Sequence, residues 1–375
     1  MNPLSRARSM MFGSAAILIA VGIVMIYSAS AIYANENMGD SGYFLKRHLV
    51  YVFAGLVLGV FISSIDLDNV RLYSKRVLIF MLVLMVLVLI PHIGVTSNGA
   101  RRWFRFLGFS LQPSEFLKIA LILYFADFLE RRRETLSDLR HTVMPALVVL
   151  GLCSGLVLKQ PDLGTAVTLG MIAFLLFFAS GFRLRHMATI ILAAIPALAF
   201  AMLAKPYRRR RILAFFHPWD DPRGVSFQII QSFLALGSGG IFGVGLGRSQ
   251  QKLFYLPQSH TDFIFSIIGE ELGFIGTVAV ILLFAVFIFS GMVVVFRSKN
   301  LYSQLVSLGL VGLIGLEVLI NIGVTLGALP TKGLSLPFIS YGGSALLANM
   351  IALGLLWNIS RQALEREQGP PMEDA

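Results

Sequence analysis

Apolar residues run through this chain in long blocks rather than in alternation. Blocks long enough to cross a bilayer, roughly 17–25 residues by the thickness of its hydrocarbon core, fall at 12–33, 48–65, 75–93, 163–180, 187–204, 263–296, 303–328 and 341–359. Two shorter blocks, 116–129 and 143–158, span if they are tilted or packed inside a bundle. The pattern predicts an all-α polytopic membrane protein of about ten transmembrane helices. It divides into a helical domain over 1–361 and a short polar tail over 362–375, where REQGPPMEDA lacks the apolar content to fold. The one sizeable connection, 205–260, joins the seventh and eighth helices. Its second half, VSFQIIQSFLALGSGGIFGVGLGRS, is amphipathic and rich in glycine, so short interfacial or re-entrant helices are expected there.

Composition agrees. Of 375 residues, 56% are hydrophobic and 14% charged, and the mean hydropathy is +0.78. A soluble domain has no use for so much apolar surface. The start, MNPLSRARSMMFGSAAILIAVGIVMIYSASA, has the basic end and apolar core of a signal peptide. Its apolar run is of span length and the chain stays hydrophobic afterwards, so a retained first helix is expected. The single cysteine, Cys153, lies inside an apolar block and reads as a small core residue.

Charge then orients the bundle. With the N-terminus inside, the cytoplasmic segments carry Arg6 and Arg8; Arg71, Lys75 and Arg76; Arg131 to Arg133 and Arg140; Arg183 and Arg185; Arg297 and Lys299; Arg361 and Arg366. Every even-numbered connection is basic, as cytoplasmic loops should be, and ten helices return the C-terminus to the cytoplasm. The outer side is not poor in cations. Lys46 and Arg47 read as interfacial residues flanking a helix, and Lys159 and Lys332 as single charges. The excess lies in Arg101, Arg102 and Arg105, and in Lys205, Arg208 to Arg211, Arg223, Arg248 and Lys252. Basic residues on that face oppose the insertion bias. Either an anionic ligand holds them there, or loop length and flanking helices dominate insertion.

Four stretches concentrate the remaining polar chemistry. In LPQSHTDFIFSIIGEELG (Leu256 to Gly273), Asp262 stands at the outer mouth of the eighth helix. A carboxylate at the edge of a low-dielectric region suits a general base, and Thr261 or Asp262 equally suits a helix cap. Glu270 and Glu271, with Glu317 and Asn321 at spacing four on the ninth helix, read as a proton path or as hydrogen-bond partners between helices. NGARRWFRFLGFSLQPSEFLK (Asn98 to Lys118) offers the forked donors of Arg101 and Arg102, suited to a diphosphate. Trp103 stacks on a sugar or anchors at the interface, and Glu115 and Lys118 share a helix face. LPTKGLSLPFISYGGSALL (Leu329 to Leu347) breaks helix geometry with Pro330, Pro337 and Gly342-Gly343. It presents Lys332 to an anion or serves as scaffolding. No metal-ligand spacing, phosphate loop or nucleophile triad is present, and the basic runs lack the soluble context of a nucleic-acid binder.

Taken together and in this order, these motifs and GSGGIFGVGLGRSQQKLFYLP resemble the SEDS family (shape, elongation, division and sporulation proteins) over nearly the whole chain. VGLGRSQQKLFYLP and ALPTKGLSLPFISYGG look more like its division-type than its elongation-type members. The resemblance implies a peptidoglycan glycosyltransferase of the bacterial cytoplasmic (inner) membrane. Such an enzyme polymerises lipid II into β-1,4 glycan on the outer face, here at the division septum, and releases undecaprenyl diphosphate. The resemblance also implies partnership with a class B penicillin-binding protein and other divisome proteins. It makes Asp262 the catalytic base and places Arg101, Arg102, Trp103, Glu115, Lys118, His260, Lys332 and Ser340 at the substrate, with Glu115 positioning Lys118. Arginines or a divalent cation (Mg or Mn) would stabilise the leaving diphosphate. Gln258-Ser259 departs from the acidic residue the family often shows before the HTDF core. The rival readings are an elongation-type polymerase, a lipid II flippase that uses Glu270, Glu271 and Glu317, and a scaffold acting through its short cytoplasmic ends.

Overall fold

The computed structural model describes residues 2–97, 99–106, 108–136, 138–183, 185–190, 192, 196, 206–222, 224, 226–253 and 255–367. The apolar blocks become helices α1 (Pro3–Met38), α2 (Tyr43–Ser64), α3 (Leu67–Leu87), α4 (Pro113–Arg131), α5 (Met144–Lys159) and α6 (Leu163–Ser180). Within the large connection are α7 (Pro206–Phe216) and α8 (Phe227–Gly239). After it follow α9 (Ile264–Arg297), α10 (Leu301–Thr325) and α11 (Gly343–Glu367). By length and composition, seven of the described helices can cross a membrane; α3 and α4 are not among them. The predicted span 187–204, Lys205, Arg223 and the tail beyond 367 fall mostly or wholly outside the described residues.

Local signals set the helix ends. Asn2, Asp66, Asp162 and Asn300 each accept a backbone N–H in the first turn of the helix they precede. Gly39 and Gly181 stop α1 and α6 in the left-handed conformation.

The ends that the Lys/Arg bias assigns to the cytoplasm do meet in space. Glu367 at the end of α11 accepts from Asn2 before α1 and pairs with Arg297 at the end of α9 at 2.7 Å. Arg71 of α3 pairs with Asp127 and Glu130 of α4, both at 2.7 Å, and Glu130 accepts from the Tyr302 N–H of α10.

At the opposite end the structure adds an element that the apolar pattern does not announce. A three-stranded antiparallel sheet, β1 (Val95–Ser97), β2 (Ala100–Phe106) and β3 (Phe109–Leu111), fills the connection between α3 and α4. Gly99 (φ 73°) and Gly108 (φ 81°) lie in its two turns.

The glycine-rich part of the large connection repairs a break in α9. Gly273 has φ 70° and ψ −165°, so the helix ladder is interrupted there. The freed groups find partners in the loop after α8. The Glu270 and Glu271 carbonyls accept from Val244 and Gly245 at 2.9 and 3.1 Å, while Phe274 and Ile275 donate to Gly240 and Ile241 at 2.9 and 3.2 Å. In lipid such groups cannot be left to water, so the loop and the broken helix require each other. Only glycine permits this approach: a Cβ on Gly243 would stand 2.2 Å from the Glu271 carbonyl oxygen.

Candidate functional site

A cavity of about 1150 Å³ opens at the end opposite the Glu367 clasp. Its walls come from α2, the sheet, the α5–α6 turn, α4, α7, α10, and the connections that precede α9 and α11. The stripe of α10 that was ambiguous in sequence organises it. Asn321 donates to the Asp262 carbonyl at 2.9 Å and to the Leu334 carbonyl at 2.7 Å, holding both connections to one helix face. One turn away, Glu317 accepts from Lys118 of α4, which also pairs with Glu115 at 2.7 Å. All three are buried and border the cavity. Lys118 is therefore spent on two carboxylates, which makes it part of the cavity floor and removes it from the free cations expected for a diphosphate.

Asp262 lies beside this floor and behaves unlike a cap. Phe263, not Asp262, occupies the N-cap position of α9, and no side-chain cap bond forms. Thr261 turns to the Gln258 carbonyl and side chain instead. The Asp262 carboxylate borders the cavity and makes no hydrogen bond or salt bridge among the described residues. Burial pushes its pKa up to about 6, against the opposing pull of Arg211, with Asp162 adding to the rise and Arg102 opposing it. Gly333 leaves it room, since a Cβ there would stand 2.9 Å from the Asp262 Oδ2.

Arg101 and Arg102, successive residues of β2, part company in their partners. Arg102 borders the cavity, donates to the Gln160 and Pro161 carbonyls at 2.8 and 2.7 Å, and lies 3.5 Å from the Asp162 carboxylate. Its guanidinium is 5.9 Å from the centroid of the Trp103 ring, which also borders the cavity. Arg101 instead donates to the Leu89 carbonyl and Thr96 hydroxyl, outside the cavity lining. Lys332 borders the cavity without a hydrogen bond or salt bridge among the described residues. Burial lowers its pKa, and Asp162 offsets part of that.

Two expected substrate residues stand elsewhere. Ser340 is buried and acts as a bracket, donating to the Thr261 carbonyl at 2.6 Å and accepting from the Leu336 N–H at 2.8 Å. His260 packs among Tyr33, Phe44 and Tyr341, where burial pushes its pKa down to about 4. Neither side chain is part of the cavity lining.

Asp162, not singled out by sequence, and Arg211, expected there only as part of the run Arg208 to Arg211, do border it. Asp162 had the same signal as Asp262, an aspartate at the head of an apolar block. It caps α6 through the Thr165 N–H at 3.0 Å. Arg211 was one of four consecutive arginines. Among the described residues no group of three or more His, Cys, Asp or Glu side chains is placed to hold a metal ion.

Glu270 and Glu271 are buried apart from this cavity. Glu270 accepts from the Ser249 hydroxyl and from the Gln250 N–H, the latter at 2.8 Å. Glu271 pairs with Lys252 at 3.0 Å and accepts from Ser28 of α1.

Fold and site thus define a multi-pass helical membrane protein whose outer half carries a charged cleft of ligand-site size. The profile of the FtsW/RodA/SpoVE cell cycle proteins matches residues 8–365, and the chain belongs to that family. Among similar proteins, a probable peptidoglycan glycosyltransferase FtsW of Geobacter metallireducens is 44% identical over 92% of each chain. Stage V sporulation protein E of Bacillus subtilis is 41% identical over 92% of this chain and 94% of its own. Among solved structures, that of a peptidoglycan synthase complex coordinating polymerization and crosslinking aligns with a TM-score of 0.77. It is 29% identical over 94% of this chain and 97% of that one. The rod shape determining protein RodA of Thermus thermophilus aligns with a TM-score of 0.71 at 28% identity, covering 94% and 96%.

Proposed function

We propose that this chain is a peptidoglycan glycosyltransferase that polymerises lipid II on the outer face of the cytoplasmic membrane, in septal wall synthesis. The observation that carries the reading is Asp262. Its carboxylate is unpaired among the described residues, with its pKa raised to about 6, in a cavity that also holds Arg102, Arg211 and Lys332. The names of the similar proteins support the activity, and the division-type motifs support the septal role.

The reaction is an inverting transfer. The 4-hydroxyl of the incoming N-acetylglucosamine loses its proton to Asp262 as its oxygen attacks the anomeric carbon of the growing, lipid-linked strand. A carbon–oxygen bond forms on one face of that carbon while the bond to the diphosphate breaks on the other. Undecaprenyl diphosphate leaves, and an α linkage becomes β-1,4. General-base assistance of this kind contributes about 10² to 10⁴ in rate. Lys332, Arg211 and the remaining donors of Arg102 offset the charge of the departing diphosphate. A class B penicillin-binding protein would crosslink the product, a pairing supported by the likeness to the synthase complex that coordinates polymerization and crosslinking.

The flippase reading needs free carboxylates deep in the bundle. Glu270, Glu271 and Glu317 are instead each held by a hydroxyl, an N–H or a lysine. The test is polymerisation of purified lipid II by the chain with its cognate transpeptidase, whose serine is blocked. The parent should make glycan, and Asp262→Asn, shown to fold and to bind the partner, should make at least about a hundredfold less. Equal polymer from both would remove Asp262 from the chemistry.

A further inference from the structure

Among the cations that line the cavity, Arg47 stands apart from the group around Asp262. Arg47 lies near the outer end of α2 and borders the cavity together with Tyr51 and Tyr341. Its guanidinium is 5.2 Å from the centroid of the Tyr43 ring and 5.4 Å from that of Phe109, and it donates to the Tyr43 hydroxyl. Two rings and a hydroxyl fix its direction, and no carboxylate forms a salt bridge with it among the described residues. The neighbouring Lys46, by contrast, is closed off by Asp40 at 2.8 Å. An oriented half-buried guanidinium without a counter-ion is an anion receptor.

Its position relative to the base differs from that of the other cations. Arg102 is held by the Gln160 and Pro161 carbonyls and Arg211 donates to the Thr331 carbonyl, two residues before the Gly333 that faces Asp262, whereas Arg47 is held by Tyr43 and Phe109 at the α2 wall. The cavity therefore has a cationic group beside the carboxylate and a separate cation at the α2 wall. That wall is also the lipid side, because Leu49, Val50, Phe53, Leu56, Val57 and Phe61 of α2 are all exposed.

Glycosyl transfer between two lipid-linked sugars needs that asymmetry. The donor's diphosphate is attached to the carbon under attack, so it must lie beside the base that activates the attacking hydroxyl. The acceptor's diphosphate is separated from its own attacking 4-hydroxyl by two sugar rings, so it must lie away from the base. Resting on the function proposed above, we infer that Arg47 binds the diphosphate of the acceptor, the incoming lipid-linked disaccharide, whose lipid chain lies along the exposed face of α2. Arg211, Arg102 and Lys332 take the diphosphate of the donor strand. Tyr51 and Tyr341 flank the path between the two.

Two probes separate the sites in the partner-bound protein. A lipid II analogue with a methylene in place of the anomeric oxygen serves only as acceptor, since its phosphonate link cannot leave. A lipid-linked disaccharide with the 4-hydroxyl epimerised serves only as donor. Arg47→Gln should raise KM for the acceptor-only probe at least about tenfold and change KM for the donor-only probe less than about twofold. Arg47→Lys should recover part of the loss, because a point charge is retained. The acidic limb of the pH profile should stay in place in Arg47→Gln and move to higher pH in Arg211→Gln, which loses a charge that favours ionised Asp262. A donor-side effect of Arg47→Gln, equal effects on both probes, or no effect on either would overturn the assignment. If Arg47→Gln fails to bind the partner, the same comparison made with Arg47→Lys decides, with an acceptor-only increase of about twofold or more expected. A parent that couples neither probe to lipid II would instead remove the proposed function itself.

Discussion

Asp262 and the Glu270–Glu271 pair stand about two helical turns apart at the head of α9, and they meet opposite conditions. Each glutamate is closed off by donors from the 249–252 segment, and Glu271 also by Ser28 of α1. Asp262 has its backbone fixed by Asn321 but its carboxylate left to the cavity. Residue type does not separate the two; donor supply does. A carboxylate with its donors filled ties a loop to a helix, while one without them keeps a raised pKa and is ready to take a proton.

Removing the middle of a filled cluster should give the largest loss of stability. Lys118→Met leaves Glu115 and Glu317 facing each other without their cation, a change worth about 3–5 kcal/mol. Thermal unfolding of the purified chain should show it, and adding Glu317→Gln should recover part of the loss. An unchanged melting temperature in the single variant would mean that the triad is not a closed unit.

Asp262 should behave in the reverse sense. Its folded pKa of about 6 lies above the ordinary value of 3.8, so the fold favours the protonated form. That stabilisation is fully present below about pH 4 and is lost as pH rises through about 6. Asp262→Asn should therefore melt higher than the parent at pH 8, by up to about 3 kcal/mol, while losing polymerisation. A lower melting temperature would mark the carboxylate as a structural partner.

The glutamates come next. Glu270→Gln keeps the acceptor but removes the charge from its bonds to Ser249 and Gln250, hydrogen bonds worth about 1.5–3 kcal/mol each when charged. Hydrogen exchange at residues 244–252 should speed up in this variant, with exchange in α10 unchanged. Unaltered exchange in the 244–252 segment would break the contrast between the two regions.

The helices were legible because lipid demands apolar runs of fixed length, and their sides were legible from Lys and Arg. The meeting of Asn2, Arg297 and Glu367 at one end agrees with that reading. The sheet was missed although Gly99 and Gly108 punctuate its segment, because a hairpin this short is outweighed by the apolar blocks around it. Arg102 reaches the cavity and Arg101 does not because the α5–α6 turn holds the first while Leu89 and Thr96 hold the second. Asp162, and which of the four arginines from Arg208 to Arg211 would meet the cavity, were hidden for a different reason: which face of a turn or short helix meets a cavity is fixed by contacts far away in sequence. The same holds for Lys118, whose second partner, Glu317, lies on another helix.

The contrast at the head of α9 is tested most directly by the pH dependence of kcat/KM for lipid II polymerisation, measured on the parent, Glu270→Gln and Glu271→Gln. Because the reacting group must be ionised, activity should fall as pH drops through about 6. The limb should keep its position in both glutamate variants even where their stability is lower. A limb that disappears or moves when either glutamate is neutralised would place the titrating base there and contradict the account.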